Sequence, residues 1–499
     1  DLGMDMESDL GIDSIKKVEI MSAVQEKLPD APVVQPDQMT GLRTLQEVIN
    51  TLGVAESAPA PAPAAAPAQA EKSAAPVTRE KQPLLRTQVS FSPLDGERER
   101  LVLGKKAVVW VVDEGTGMGK AVAAQFGKKE CWATVLTAKE ALEKNVPNVL
   151  SGLIVIAPAT GVEGEKYWPV KSEEYVKDVF MVTQRCAKAL DKASRTKGTC
   201  ALFATVSRLD GAFGVSDWDS EADPILGSFA GLAKTAAHEW PEVNVKAIDI
   251  KRSWEDKDEV ASTLVDELHY VGPVEVGLSQ EKRVTLVEDD IETPETAHQR
   301  RNDGLLEAGS LVVVSGGARG VTAETAIALA RAFKPTLLLL GRSPLPEDEP
   351  AWLAGLEGEA TLKKAIMQNS TEKLTPKLLQ EKYRKVMAAR EIRRNLERIE
   401  ECGAKWIYES VDVRSTEALS KVYDKARKDH GPVRGIIHGA GVLRDKFIVD
   451  KTREGFDAVF DTKIKGARAL LEAAGEDELK MLSFFSSSTA RYGRKGQVD

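Results

Sequence analysis

Little in this chain suits the chemistry of thiols, metals, membranes or nucleic acids. It holds four cysteines in 499 residues (Cys131, Cys186, Cys200 and Cys402), scattered and without a CxxC pair. That excludes a disulfide scaffold or a thiolate metal centre and reads as free thiols in a reducing, cytoplasmic setting. The five histidines show no metal-ligand spacing, so no metal site is expected. No apolar run approaches the ~20 residues of a membrane helix. The acidic start has neither the basic nor the apolar region of a signal peptide. Lysine and arginine (68) are outnumbered by aspartate and glutamate (77), giving a net charge of −9. That balance disfavours general nucleic-acid binding. What is present is the apolar content (42%) and high charge (29%) of a soluble, well-packed protein. The length suits roughly three domains of about 150 residues.

Composition divides the chain. Residues 1–53 read as a small helical unit. Residues 54–80 form an Ala/Pro-rich linker around "ESAPAPAPAAAPAQAEKSAAP". Such a run cannot build a core. Its prolines favour extended polyproline II, a tether reaching roughly 3.1 Å per residue. Over residues 81–304 short β-branched runs at 106–113, 152–158, 200–207 and 244–250 alternate with helical stretches such as 172–194 and 225–239. Alternation of this kind predicts a parallel, doubly wound α/β sheet. A second α/β unit spans 305–499, with strands expected within 309–315, 336–343, 406–415, 435–443 and 480–488. Residues 350–400 interrupt it as a charged helical insertion, solvated on one face.

The two α/β units differ in their glycine turns. "VVVSGGARGVTAE" (312–324) sets Ser315, Gly316, Gly317 and Gly320 between a buried strand and a helix. That is the context of a dinucleotide-binding turn, in which bare backbone approaches the pyrophosphate at a helix N-terminus. Thr322 stands where a last glycine often does. The turn is closer to the TGxxxGxG of short-chain dehydrogenase/reductases. Arg342 ends the next strand, where an arginine suits a ribose 2′-phosphate and an acid would suit a 2′-hydroxyl, so NADPH is favoured over NADH. In the first unit, "DEGTGMGKAVA" (113–123) spaces its glycines too tightly for the fingerprint, and Ala follows Lys120, so it is no Walker A loop either. It reads as a degenerate turn without nucleotide. The fold class is therefore α/β, two tandem Rossmann-like doubly wound parallel sheets, preceded by a partial all-α domain.

Near the start, "LGIDSIKKVEI" puts Ser14 ahead of a helix expected over about 14–27, with Ile15, Val18, Met21 and Val24 on one stripe. Ser14 can serve simply as its N-cap, worth about 1 kcal/mol. The segment also resembles the attachment motif of acyl carrier proteins. That resemblance makes Ser14 the carrier of 4′-phosphopantetheine, with the phosphodiester at the positive end of a helix. The first helix of such a domain is missing, so the carrier is expected to be incomplete.

The whole arrangement resembles the ketoreductase region of polyketide and fatty acid synthases, which pairs a cofactor-free structural subdomain (81–304) with a catalytic one (305–499). Carrier, tether and reductase together most resemble the end of the carrier array in a polyunsaturated fatty acid synthase. The resemblance implies NADPH-dependent reduction of a 3-ketoacyl thioester. It places adenine at Asp412 and Val413 and the nicotinamide side at Gly439, Ala440 and Gly441 of "HGAG". The family's lysine falls on Lys463, with Lys465 as a neighbouring alternative, and its serine on Ser487 of "FFSSSTARYGRKGQVD". Its tyrosine would fall thirteen residues after Ser487, just past Asp499, because Tyr492 is too close. Residue 1 is not Met, and the last residues lie inside this motif. The chain is therefore expected to be a C-terminally truncated fragment unable to reduce a ketone at a meaningful rate. Asp445 leans the product to D-3-hydroxy, although Lys495 stands where a proline is usual. Implied partners are acyl chains on carrier domains, ketosynthase, acyltransferase and dehydratase domains, and a phosphopantetheinyl transferase. A dimeric parent is an expectation of the resemblance alone. Two other readings are a stand-alone short-chain reductase or epimerase and a non-catalytic reductase-like scaffold.

Overall fold

The computed structural model describes residues 87–158, 162, 166–218, 220–291, 305–372 and 374–499, and residue 47 alone before them. Ser14, the helix expected over 14–27 and the Ala/Pro linker lie outside the described residues. The rest divides into a main unit, 87–345 with 398–499, and a helical unit, 346–397.

In the main unit, the first α/β half runs β1 (Thr87–Pro93), β2 (Val108–Asp113), α1 (Met118–Lys128), β3 (Trp132–Leu136), α2 (Ala138–Glu143), β4 (Gly152–Ile156) and α3 (Val170–Ser194). It continues through β5 (Leu202–Ser207), α4 (Ser228–Glu239), β6 (Asn244–Ile250), α5 (Lys257–Glu267), β7 (Glu275–Leu278) and β8 (Arg283–Asp290). Strands β4 and β5 are buried at every residue, and β2 at all but its first. Such strands need helices on both faces. Val179, Phe180, Leu190, Phe229 and Leu232 of α3 and α4 cover one face. Val122, Phe126, Leu264 and Leu268, from α1, α5 and the end of α5, cover the other.

The strand order is β1-β8-β7-β6-β5-β4-β2-β3. The expectation of a wholly parallel sheet is corrected at one edge, where β8 runs antiparallel to both β7 and β1. The four residues between β7 and β8 are the cause. A connection that short closes a hairpin, whereas a parallel neighbour needs a crossover of a dozen residues or more.

The second half runs β9 (Leu311–Ser315), α6 (Gly320–Phe333) and β10 (Thr336–Gly341), then, after the insertion, β11 (Lys405–Ser410). The insertion carries α7 (Glu359–Gln368) and α8 (Pro376–Glu401). Beyond β11 come α9 (Thr416–His430), β12 (Val433–His438), α10 (Arg453–Ala474), β13 (Met481–Phe484) and the short α11 (Ser488–Tyr492). The order β11-β10-β9-β12-β13 is parallel throughout, the first five strands of a doubly wound nucleotide-binding sheet.

The helical unit has its own small core. Leu353, Leu362, Ala365 and Ile366 are buried, with Leu379, Tyr383 and Val386 packed against them. Arg390 fastens the entering loop by donating to the Leu353 and Leu356 carbonyls at 2.9 and 2.7 Å and pairing with Glu349 at 2.6 Å.

One buried carboxylate ties the antiparallel edge of the first sheet to its centre. Glu267, 2% exposed, takes Lys246 of β6 and Arg98 at 2.8 Å each and Arg283 of β8 at 2.5 Å. Burial alone would raise the Glu267 pKa. The Arg283 hydrogen bonds and the Lys246 charge outweigh it and hold the carboxyl below its ordinary value. A depressed carboxyl pKa stabilises the fold above the unfolded-state value, about 4.3, and that stability is lost as pH falls through the lower folded-state value. Glu267→Gln leaves buried cations short of a counter-charge and is expected to cost about 3–5 kcal/mol at pH 7. The deficit should shrink in acid, as urea unfolding at both pH values would show.

Candidate active site

The second sheet reverses direction between β9 and β12, and in open α/β sheets ligands bind in the crevice at such a point. Four of the sequence-predicted residues meet there. Ser315 ends β9, fully buried. Its carbonyl accepts from Gly439 N–H at 3.0 Å, and its Oγ accepts from Ala440 N–H at 3.3 Å. Gly316 has φ 73°, and a Cβ on it would stand 3.0 Å from the Gly439 carbonyl. The backbone of the two loops leaves no room for a side chain. Gly317 and Gly320 complete the turn into α6.

Thr322, the departure from the usual glycine, is buried and has a structural counterpart. A Cβ on Gly439 would lie 2.3 Å from Thr322 Oγ1, so the bare residue sits on β12's side of the contact instead of on α6. Gly441 lies just beyond, exposed.

The adenosine-side residues stand at the ends of β10 and β11. Arg342 is exposed, and its carbonyl accepts from Ser410 Oγ at 3.0 Å. Asp412 is forked by Arg414, Nη2 to Oδ2 at 2.7 Å and Nε to Oδ1 at 3.0 Å. Those hydrogen bonds hold its carboxyl below the ordinary range. The Val413 side chain is part of the core, which leaves its backbone as what it can offer a ligand.

Lys463 lies on α10 and donates to the Asp499 carbonyl at 3.0 Å. The residue is exposed, but its ammonium end is poorly hydrated, which lowers its pKa, with the Asp499 charge opposing. Lys451, almost fully buried, pairs with the Asp499 carboxylate and donates to the Arg444 carbonyl at 2.9 Å. Lys465 points elsewhere, to Asp461 at 3.1 Å. Ser487 is exposed and caps α11, accepting from Thr489 N–H at 3.1 Å. Tyr492 donates its hydroxyl to Glu288 on β8, and that hydrogen bond raises the phenol pKa. Tyr423 is buried in the core, and Tyr408 donates to the Ser343 carbonyl at 2.8 Å.

Sequence reasoning did not foresee how firmly the first half holds these elements. Lys234 of α4 donates to the carbonyls of Ala490 and Arg491 at 2.8 and 2.9 Å. Glu239 accepts from Gly496 N–H at 2.9 Å and Ile448 N–H at 2.7 Å. Helix α3 grips α10 directly. Phe180 stacks on Phe456, centroids 4.4 Å apart, and Phe456 on Phe460 at 5.5 Å. Beside the stack Lys177, 2% exposed, meets Asp461 at 2.8 Å and Glu174 at 3.1 Å. Arg453 bridges Asp178 and Glu174, and Arg468 meets Glu173 at 2.8 Å. A lysine and a glutamate on the Ala-rich α4 were the signal in the sequence.

The first half's own glycine turn is braced by a carboxylate. Asp113 ends β2 and accepts from Thr116 Oγ1 at 2.5 Å and from Gly119 N–H, in the first turn of α1, at 3.2 Å. The adjoining cavity of about 220 Å³ is lined by Asp113, Lys120 and Glu140 among others. Among the described residues no group of three or more His, Cys, Asp or Glu could hold a metal, and no helix is long and apolar enough to cross a membrane.

Residues 310–499 match the KR domain. The chain is 31% identical over 544 residues to a polyunsaturated fatty acid synthase polypeptide of Thraustochytrium sp., across 99% of this chain and 19% of that protein. It is 27% identical over 278 residues to polyketide synthase PksN of Bacillus subtilis, across 54% of this chain and 4% of that protein. The chain thus spans a small part of these relatives. Among solved structures, an N-terminal ketoreductase from the macrolactin assembly line superposes with TM-score 0.55 at 16% identity, covering 83% of this chain and 76% of its own. A ketoreductase domain from the bacillaene assembly line gives 0.51 at 19%, covering 83% and 77%. At these identities the likeness shows the fold, an α/β Rossmann-like ketoreductase fold with parallel sheets.

Phe180 is 1% exposed in the contact with α10. Phe180→Ala is expected to cost about 3–5 kcal/mol, read as a lowered denaturation midpoint.

Proposed function

We propose that the chain is the carrier–ketoreductase region of a multidomain polyunsaturated fatty acid or polyketide synthase, and that it reduces 3-ketoacyl thioesters held on phosphopantetheine to 3-hydroxyacyl thioesters. The observation that carries this is the bare crevice formed by Ser315, Gly316, Gly439 and Ala440 at the switch point, with Lys463 on the helix that follows β12. A pyrophosphate suits the end of this turn, where an added Cβ on Gly320 would meet nothing within 4 Å. Arg342 suits the 2′-phosphate. The Val413 backbone, with Asp412 shared by Arg414, suits adenine.

NADPH supplies a hydride to the ketone carbon when bound. The chain's own residues do the rest. Ser487 holds the ketone oxygen by hydrogen bond, and Lys463 presents the positive charge that lowers the pKa of the proton-donating phenol. That phenol belongs to a tyrosine expected after Asp499, because Tyr492 serves Glu288. Asp445, held by Gln497 at 2.7 Å, is the residue that leans the product to D-3-hydroxy. The first half takes no nucleotide, its glycines being spaced too tightly for the fingerprint. Ser14 carries phosphopantetheine, and the partners are the acyl groups and neighbouring domains of the synthase.

A second reading is a reductase-like scaffold. Turnover separates the two. NADPH oxidation with a 3-ketoacyl thioester surrogate should be absent for the 499-residue chain and present for a longer one carrying the residues after Asp499. Normal turnover by the shorter chain would contradict the tyrosine assignment, and none by either would favour the scaffold. Arg342→Ala should weaken NADPH binding by about ten- to hundredfold and leave NADH binding little changed, as fluorescence titration would report.

A further inference from the structure

The buried imidazole of His438 lies between the cofactor turn and the lysine helix, and nothing in the reaction proposed above uses it. It ends β12 and is 5% exposed. Its Nδ1 is 2.6 Å from Ser315 Oγ, and its Nε2 is 3.0 Å from the carbonyl oxygen of Lys463. A carbonyl can only accept, so Nε2 carries a hydrogen and donates it. In a neutral ring Nδ1 is then bare and accepts from the Ser315 hydroxyl. Ser315 Oγ in turn accepts from Ala440 N–H. Every donor and acceptor in this chain of bonds is used once, in one direction: Ala440 N–H to Ser315 Oγ–H to His438 Nδ1, and Nε2–H to the Lys463 carbonyl.

The surroundings favour the neutral ring. Among the described residues no carboxylate pairs with it, and burial lowers its pKa from the ordinary histidine value. Phe484 presents its ring edge-on at 6.3 Å. Helix α10 comes close enough for the contact because residue 466 is glycine. A Cβ there would stand 3.1 Å from His438 Cε1.

We propose that His438 is a positioning residue, locked as the Nε2–H tautomer, that fixes the backbone of Lys463 relative to the Ser315–Ala440 turn. The proposal rests on the reading of Lys463 and Ser315 given above. It differs from a packing role because the coupling depends on one hydrogen, and a ring flipped, or carrying its one N–H on Nδ1, would break it.

Two measurements on the full chain, without cofactor, test this. In ¹⁵N-histidine NMR at neutral pH, His438 should show one bare and one protonated nitrogen, with the proton on Nε2. A proton on Nδ1, or on both nitrogens, would overturn the proposal. In chain reductively methylated with ¹³C-formaldehyde, the Lys463 signal should shift in both Ser315→Ala and His438→Asn, while that of Lys465 stays in place. An unchanged Lys463 signal in folded Ser315→Ala would also overturn it. Ser315→Ala removes a single oxygen, so the test does not depend on the His438 variant folding. Failure of NADPH to bind would count against the reductase reading and leave both of these measurements interpretable.

Discussion

The site depends on the grip of α3 on α10. Lys463 lies on α10, and that helix is fastened along one face to the first half of the protein. The contact combines two physical terms. The stack of Phe180, Phe456 and Phe460 removes large apolar surface from water and joins the core of the first half. The ionic cluster around Lys177 supplies register. Burial would depress the Lys177 pKa, but hydrogen bonds to Asp461 and Glu174 outweigh that and raise it. Buried pairs of this kind add little net stability over an apolar contact, but removing one partner is costly. They therefore discriminate against a shifted packing of α10.

The same logic extends to the segment after β13. Its carbonyls at residues 490 and 491 meet Lys234, and its Gly496 N–H meets Glu239. A loop carrying Ser487 would otherwise have few buried contacts of its own, and such loops open locally at small free-energy cost. Duplication of the fold thus has a physical use. In the function proposed above one sheet forms the nucleotide crevice, and the other provides the helices on which α10 and the segment carrying Ser487 are mounted.

Much of this was legible in the sequence, for particular reasons. Fully buried parallel strands such as Val108–Asp113, Leu202–Ser207 and Leu311–Ser315 are continuous apolar runs bounded by glycine or charge, and they emerged close to the expected places. The turn at Ser315–Gly320 was legible because bare backbone must be encoded as glycine. Strands β1 and β8 were not, since they lie at and next to the sheet edge, are half-exposed and carry polar residues on either face. The compensation between Thr322 and Gly439 joins residues 117 positions apart and leaves no local pattern. The roles of Lys234, Glu239 and His438 were hidden for the same reason, because each is defined by a partner in a distant segment.

The central claim, that the first half holds the catalytic elements of the second in place, is tested most directly by hydrogen exchange on the Lys234→Met variant. The account predicts that protection falls across residues 485–499 and extends to the adjoining part of α10, while the Ser315–Gly320 turn and strands β9 and β12 exchange as before. Unchanged protection in 485–499 would contradict it, because the segment would then be held by its own half alone.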